Sequence, residues 1–378
     1  MAKENKNKKY RTFIIFVIVL LIFGGLSILR MVRKLKEQES LANGTGDELQ
    51  VIALEMRGKY GDSFIIKYNN FEMLVDAGTK TDKEYVQQAL DEFVTDDKLD
   101  ILMLSHLHGD HIGDMTDVSF FKDIEVLKIV DAGSKPTSDV VNEYVAMRDA
   151  LVEKGATYTS YYDIITKEEI EDIWYLDSEK KLYLEFFDSG YIASPGTAPS
   201  DLNDSSIAFA LNYNNNKWFF AGDLPEKCED KLITNIKKIN SEYFKESDYV
   251  VFKSCHHGSR EANGDTLLSF VKPDMAFIMA GILTSNQSDS EMVEQHPYFE
   301  ALERIKKYTD KVYWSSINGL TIFKSTGNEV TFTARGRTVD YYYNHELASR
   351  ESEKLVTIFE SKWYKALQEL KSKEKTTS

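Results

Sequence analysis

The chain has 378 residues, of which 42% are hydrophobic and 12% aromatic, and its 46 basic and 61 acidic side chains give a formal charge of −15. That mix excludes a disordered or collagen-like chain. Its two cysteines, Cys228 and Cys255, exclude a disulfide scaffold and a cysteine-only zinc cluster.

In chain order the first feature is Phe13 to Leu29, a run in which Ser27 is the sole polar residue. As a helix it spans about 25 Å, and Thr12, Met31 and Val32 extend it toward the roughly 30 Å of a bilayer core. No small-x-small cleavage site follows, so residues 1–32 read as a cytoplasmic basic segment and a membrane anchor at 12–32, with a cleaved signal as the alternative. The basic group before the run slightly outnumbers the one after it, which places the body outside a single-pass cell-membrane protein. Residues 1–30 carry a net +5, leaving −20 for the rest. An acidic body disfavours a long nucleic acid as partner. Residues 33–48 read as a stalk and linker.

The body, 49–336, alternates strands and helices. Leu49–Met56, Ser63–Tyr68 and Glu72–Val75 predict an antiparallel meander. Asp82–Phe93 and Val140–Val152 predict amphipathic helices, and Asp100–Leu104 a strand covered on both faces. Residues 160–200 read as an irregular excursion with an edge strand at Lys181–Phe186. Ile207–Tyr213 and Lys217–Ala221 flank Asn214-Asn215-Asn216, a hairpin signal. Tyr249–Lys253, Met275–Ala280, Val312–Ser315 and Leu320–Phe323 predict further strands, and His296–Lys307 a helix. Within the 337–378 extension, Leu347 to Leu370 predicts one long helix, and Lys371 to Ser378 a disordered tail. Two sheets packed together with helices outside fit this order.

Chemistry concentrates in Ser105-His106-Leu107-His108-Gly109-Asp110-His111, which holds three of the seven histidines and a carboxylate just after a strand. Imidazole nitrogens and carboxylate oxygens are the ligands of a borderline divalent metal such as zinc. Phe219-Phe220-Ala221-Gly222-Asp223 also ends a strand in a carboxylate, which by itself is an ordinary turn or capping residue. His256-His257-Gly258-Ser259 follows a third strand. Cys255 beside that pair reads as a small buried strand-end residue rather than a nucleophile.

Taken together, His106-x-His108-x-Asp110-His111, Asp223 and His256-His257-Gly258-Ser259 resemble the metallo-β-lactamase superfamily. Gly58-Lys59-Tyr60-Gly61-Asp62-Ser63 and Leu74-Val75-Asp76-Ala77-Gly78 strengthen the likeness, which covers about residues 50–335. Within the superfamily the sequence is most similar to the hydrolase domain of DNA-uptake competence proteins, and also to secreted phosphocholine esterases. The resemblance implies an α/β fold, a four-layer αββα sandwich, with two divalent ions at one edge: zinc first, manganese as the alternative. It implies that His106 and His108 hold the first ion and Asp110 and His111 the second. Asp223 would bridge them and His257 complete the second site. His256 would face substrate, with Asp110 as a ligand able to carry a proton, and Asp76 would orient ligands.

One departure stands out. No histidine lies between His111 and His256, whereas many members place a first-ion ligand there; Asn203 and Asp204 occupy that stretch. The expectation is a membrane-anchored metal-dependent hydrolase, a phosphodiesterase acting outside the cytoplasm on a phosphoester. The alternatives are a catalytically weak surface binding module that retains the fold, and a lactonase or β-lactamase-like enzyme.

Overall fold

The computed structural model describes residues 48–377 apart from 136, 193, 195–196, 282–287, 337–340, 344–345 and 349–355. The expected anchor at 12–32 and its stalk lie outside the described residues, within which no helix is long and apolar enough to cross a membrane.

The strands in chain order are β1 (Leu49–Ala53), β2 (Phe64–Tyr68), β3 (Phe71–Val75), β4 (Lys98–Leu99), β5 (Ile101–Met103), β6 (Glu125–Val126), β7 (Lys128–Asp131), β8 (Thr157–Ser160), β9 (Ile173–Tyr175) and β10 (Leu182–Phe187). Then come β11 (Ala208–Tyr213), β12 (Asn216–Phe220), β13 (Tyr249–Lys253), β14 (Met275–Ile278), β15 (Val312–Trp314), β16 (Thr321–Ser325), β17 (Val330–Ala334), β18 (Tyr341–Tyr343) and β19 (Glu346–Ala348). Among the described residues, one sheet has the order β17-β16-β1-β2-β3-β5-β7-β8 and a second the order β15-β14-β13-β12-β11-β10-β9. The meander β1-β2-β3 is antiparallel, as its alternation predicts. The β11–β12 hairpin turns through Asn214 and Asn215, with Asn214 at φ 51°, a left-handed conformation that asparagine tolerates.

Side-chain alternation makes the layers. Phe186, Phe220 and Val251 of the second sheet point into the core shared with the first, where Phe64 meets Phe220 at 5.3 Å between ring centroids. Their neighbours Phe187, Phe219 and Phe252 point the other way, against Cys228, Leu232 and Ile236 of helix Glu226–Ile239. Val86, Leu90 and Phe93 of helix Lys83–Phe93, with Tyr144 and Met147 of helix Asp139–Glu153, join the first sheet's core. This is a mixed α/β sandwich. Most strands from β3 to β8, and β12 to β15, run parallel, so their carboxyl ends gather on one edge, where open α/β sheets bind ligands.

Three expectations are corrected. Lys181–Phe186 is not an edge strand, because β9 pairs outside β10. The periodic stretch from Leu347 is not one helix: Glu346–Ala348 pairs with Tyr341–Tyr343, and the helix spans Lys362–Thr377. Its apolar period is met instead by Ile358, Trp363 and Leu367, buried in the second core beside Trp314. The tail after Lys371 is helical to Thr377, and Lys371 pairs with Glu300 at 3.2 Å.

Helix Glu226–Ile239 buries Glu229, whose carboxylate accepts the Gly264 N–H at 3.0 Å. Burial pushes its pKa from 4.5 up to about 7. A carboxyl raised on folding confers stability that is whole below about pH 4.5 and drains away as the pH climbs through about 7. Glu229→Gln cannot ionise, so wild type should lose about 3 kcal/mol more than the variant between pH 4.5 and 7.5. Urea unfolding at both pH values checks this; parallel losses would refute it.

Candidate metal centre

Each contributing loop is tied down before it reaches the centre. β5 ends at Met103, and the Leu104 N–H donates to Val130 O within the first sheet. One residue on, Ser105 O accepts the Ile207 N–H at 2.8 Å, stitching the loop to the segment that enters β11 of the second sheet. Asp76, at φ 58° just after β3, accepts hydrogen bonds from Ser105 N (2.7 Å) and Ser105 Oγ (2.6 Å) and lies 2.8 Å from His111 Nδ1. That contact occupies Nδ1 and turns Nε2 of His111 toward Asp223, 3.2 Å away.

Asp223 follows β12 through Gly222, whose φ of 51° suits glycine and where a Cβ would come within 2.9 Å of the Ser206 side chain. The Asp223 N–H donates to Ser206 Oγ at 3.0 Å. His256 and His257 follow β13 in left-handed backbone, φ 47° and 52°. Such a pair costs roughly 1–3 kcal/mol per residue and persists only where neighbours enforce it. Buried Asn263 does so: its Oδ1 accepts from Cys255 N (2.8 Å), and its Nδ2 donates to Cys255 O (2.9 Å). His257 Nδ1 donates to Met279 O at 2.9 Å, which leaves its Nε2 facing Asp223 (3.1 Å) and Asp110 (3.3 Å).

The outcome is one cluster. Nε2 of His106, His111, His256 and His257 lie 4.0, 3.2, 3.9 and 3.1 Å from Asp223 Oδ2. His108 Nδ1 is 3.0 Å from His106 Nε2. The structure therefore brings together His106, His108, Asp110, His111, Asp223, His256 and His257, with Asp76 behind His111. The Asp204 carboxylate pairs with Lys227 at 2.8 Å and accepts from Ser200 Oγ, while Ser206 reaches the Asp223 backbone.

The donor set fits a divalent cation. His111 Nε2 and His257 Nε2 are buried and face only carboxylate oxygens, of Asp223 for the first and of Asp223 and Asp110 for the second, so nitrogen and oxygen ligands share one enclosed space. One ligand atom each from Asp62, His111, Asp223 and His257 lies within 4.8 Å of the others. Burial works against charge on Asp223, but His257, His111 and Lys253 outweigh it and hold its pKa well below the ordinary value. Burial keeps His106 well below the ordinary imidazole value, hence neutral and able to ligate. Burial also opposes charge on His111 and His257, yet Asp223 and their second carboxylates, Asp76 and Asp62, hold both pKa values well above 6.5. A cation arriving there displaces protons.

Two residues of the cluster went unassigned in the sequence. Asp62, from the Gly61-Asp62-Ser63 loop, lies 3.2 Å from His257 Nδ1. Lys253, fully buried, forms an ion pair with Asp62, lies 3.4 Å from Asp223 Oδ1, and donates to Gly222 O at 2.9 Å. Lys253 thus takes one oxygen of Asp223 and leaves the other to the imidazoles. The readable signal was a lysine closing the otherwise apolar strand Tyr249–Phe252. Both cysteines are free and buried, and burial pushes the Cys255 thiol up, as befits a packing residue. Arg260 pairs with Glu294 at 3.0 Å and lies over the Tyr298 ring.

With this geometry in view, residues 56–281 match the metallo-beta-lactamase superfamily model. The chain belongs to the metallo-beta-lactamase superfamily. Its fold is similar to the metallo-beta-lactamase fold protein YhfI from Bacillus subtilis, at 12% identity and a TM-score of 0.43, over 74% of this chain and 100% of that one. It is also similar to the short form of human tRNase Z (13%, TM-score 0.34, 70% of this chain and 91% of that one). A diphosphatase of the PhnP family aligns at 10% identity and a TM-score of 0.32, over 60% and 85% of the respective chains. A search of curated proteins finds no match.

Proposed function

We propose that this superfamily member is a dinuclear metal-dependent phosphodiesterase, anchored to the membrane through residues 12–32 and acting outside the cytoplasm. The observation that carries the hydrolase reading is the convergence of four imidazole Nε2 atoms on one oxygen of Asp223, two of them fully buried. His106 and His108 would hold the first ion, Asp110, His111 and His257 the second, and Asp223 both. When bound, such ions make water nucleophilic near neutral pH and neutralise charge growing on phosphoryl oxygens. Zinc suits the nitrogen-rich set, with manganese the alternative.

The chain's own residues do the rest. Asp76 and the Met279 carbonyl fix the two ring orientations that matter most. His257, His111 and Lys253 keep Asp223 ionised. His256, its side chain 29% exposed, is the imidazole open to substrate and donates to a phosphoryl oxygen. The −20 body favours a small or cell-surface phosphoester over a long nucleic acid.

Elemental analysis of the full chain, paired with turnover of bis-p-nitrophenyl phosphate, tests the reading. Two zinc equivalents with turnover, both reduced in His108→Ala, are expected. No metal and no turnover would favour the second reading, a surface binding module. That reading draws on the absence of a histidine between His111 and Asp223 and on the engagement of Asp204 with Lys227.

A further inference from the structure

A sixth histidine that no motif predicted lies against the cluster. His296 precedes Pro297, on the approach to helix Phe299–Lys306. Its ring centroid is 5.5 Å from that of His256 and 6.2 Å from that of His257. Tyr60 and Tyr298 pack edge-on against it, each at 4.8 Å. Neither of its ring nitrogens has a hydrogen-bond partner among the described residues, and both atoms are buried.

Its position is rigidly set. Tyr298 N–H donates to Gly258 O at 2.9 Å. Gly258 has φ 80°, and a Cβ there would come within 2.6 Å of Pro297 Cβ. The His256-His257-Gly258 turn and the His296-Pro297-Tyr298 segment are thus packed into one unit, and His296 moves with the metal-site histidines. Two buried, unmet nitrogens on a half-buried imidazole are unfavourable unless an incoming group meets one of them. An imidazole carries at least one N–H in every protonation state, so an oxygen acceptor is the group it suits.

We propose that His296 is a substrate-contacting residue, donating a ring N–H to a non-bridging phosphoryl oxygen that enters past His256. This deepens the phosphodiesterase reading and rests on it. The rim favours an anion over a quaternary ammonium headgroup: Lys59 Nζ lies 5.0 Å over the Tyr60 ring, and the Arg260 guanidinium 4.1 Å over that of Tyr298. The aromatic faces that would cradle such a cation are already covered by positive charge.

The test is titration of inorganic phosphate into the zinc-loaded full chain, with zinc per chain measured alongside. His296→Phe keeps the ring packing and removes the N–H; phosphate affinity should fall about tenfold or more with zinc content unchanged. His296→Gln keeps a donor and should stay within about threefold of wild type. If the phenylalanine variant does not fold, His296→Ala carries the same expectation. Wild-type affinity in the variants lacking the donor, no phosphate binding by wild type, or zinc lost with the ring would each overturn the proposal. Phosphate binding that depends on His296 in a protein without diesterase turnover would overturn the hydrolase reading and leave this contact standing.

Discussion

Asp223→Asn should abolish turnover of a phosphodiester, by on the order of 10³-fold or more, and strip the protein of most of its metal. The reasoning is geometric. Among the described residues, Oδ2 of this carboxylate lies within 4.0 Å of Nε2 in four different histidines, so this single substitution touches both halves of the proposed ligand set. Asparagine keeps the shape but not the charge, and an amide is a poor ligand for zinc beside imidazole. Losing one preorganised charge-stabilising group costs roughly 10²–10³ in rate, and losing a shared ligand adds to that. The substitution also leaves Lys253 with one carboxylate instead of two. The variant should therefore unfold at lower urea than wild type, in chelator as well as in zinc. Retention of zinc together with wild-type turnover would refute the bridging role.

The second large effect is on stability. Lys253→Met should destabilise the fold by roughly 3–5 kcal/mol, the usual cost of removing one partner of a buried ion pair. Asp62, its partner, is itself buried, and the Asp62–Lys253 pair joins the Gly61-Asp62-Ser63 loop to the end of β13 across the two sheets. Methionine fills the space but leaves Asp62 with only the imidazoles of His257 and, at 3.9 Å, His111 as cationic neighbours among the described residues. The companion double variant, Asp62→Asn with Lys253→Met, removes both charges and should recover more than half of the loss, since a neutral pair of similar size avoids the uncompensated charge. Urea midpoints of wild type, both single variants and the double variant complete the cycle. A Lys253→Met protein as stable as wild type would show that the ion pair contributes little.

The sequence made legible whatever depends on local pattern. The β1-β2-β3 meander follows from apolar alternation, the β11–β12 hairpin from three asparagines, and the metal-site cluster from ligand types placed just after strands. Less legible was whatever depends on partners distant in sequence. Lys181–Phe186 has the composition of an edge strand, yet three residues of β9 suffice to cover it, and no local signal marks so short a strand. Leu347 fits a helical period, but pairing with Tyr341–Tyr343 satisfies its backbone instead. Helix Glu226–Ile239 carries Cys228, Leu232 and Ile236 at helical spacing on one buried face, a local signal that the strand-end motifs around it overshadowed. Asp62, Lys253 and His296 matter through contacts, 3.2 Å from Asp62 to His257 and 5.5 Å between the rings of His296 and His256. Asn203 and Asp204 filled the right stretch of sequence, but the Asp204 carboxylate is taken by Lys227.

The pairing of β1 reaches across about three quarters of the 378-residue chain, since Leu49 sits opposite Ser325. A ribosome adding about 5–20 residues per second needs roughly 15–55 seconds to make β16 after it has made β1. Throughout that interval β1 has β2 on one side and an open row of amide and carbonyl groups on the other, a template for any passing extended segment. The first sheet therefore cannot be sealed until β16 has been synthesised. The nascent chain depends on whatever keeps that margin covered until residues 321–325 arrive.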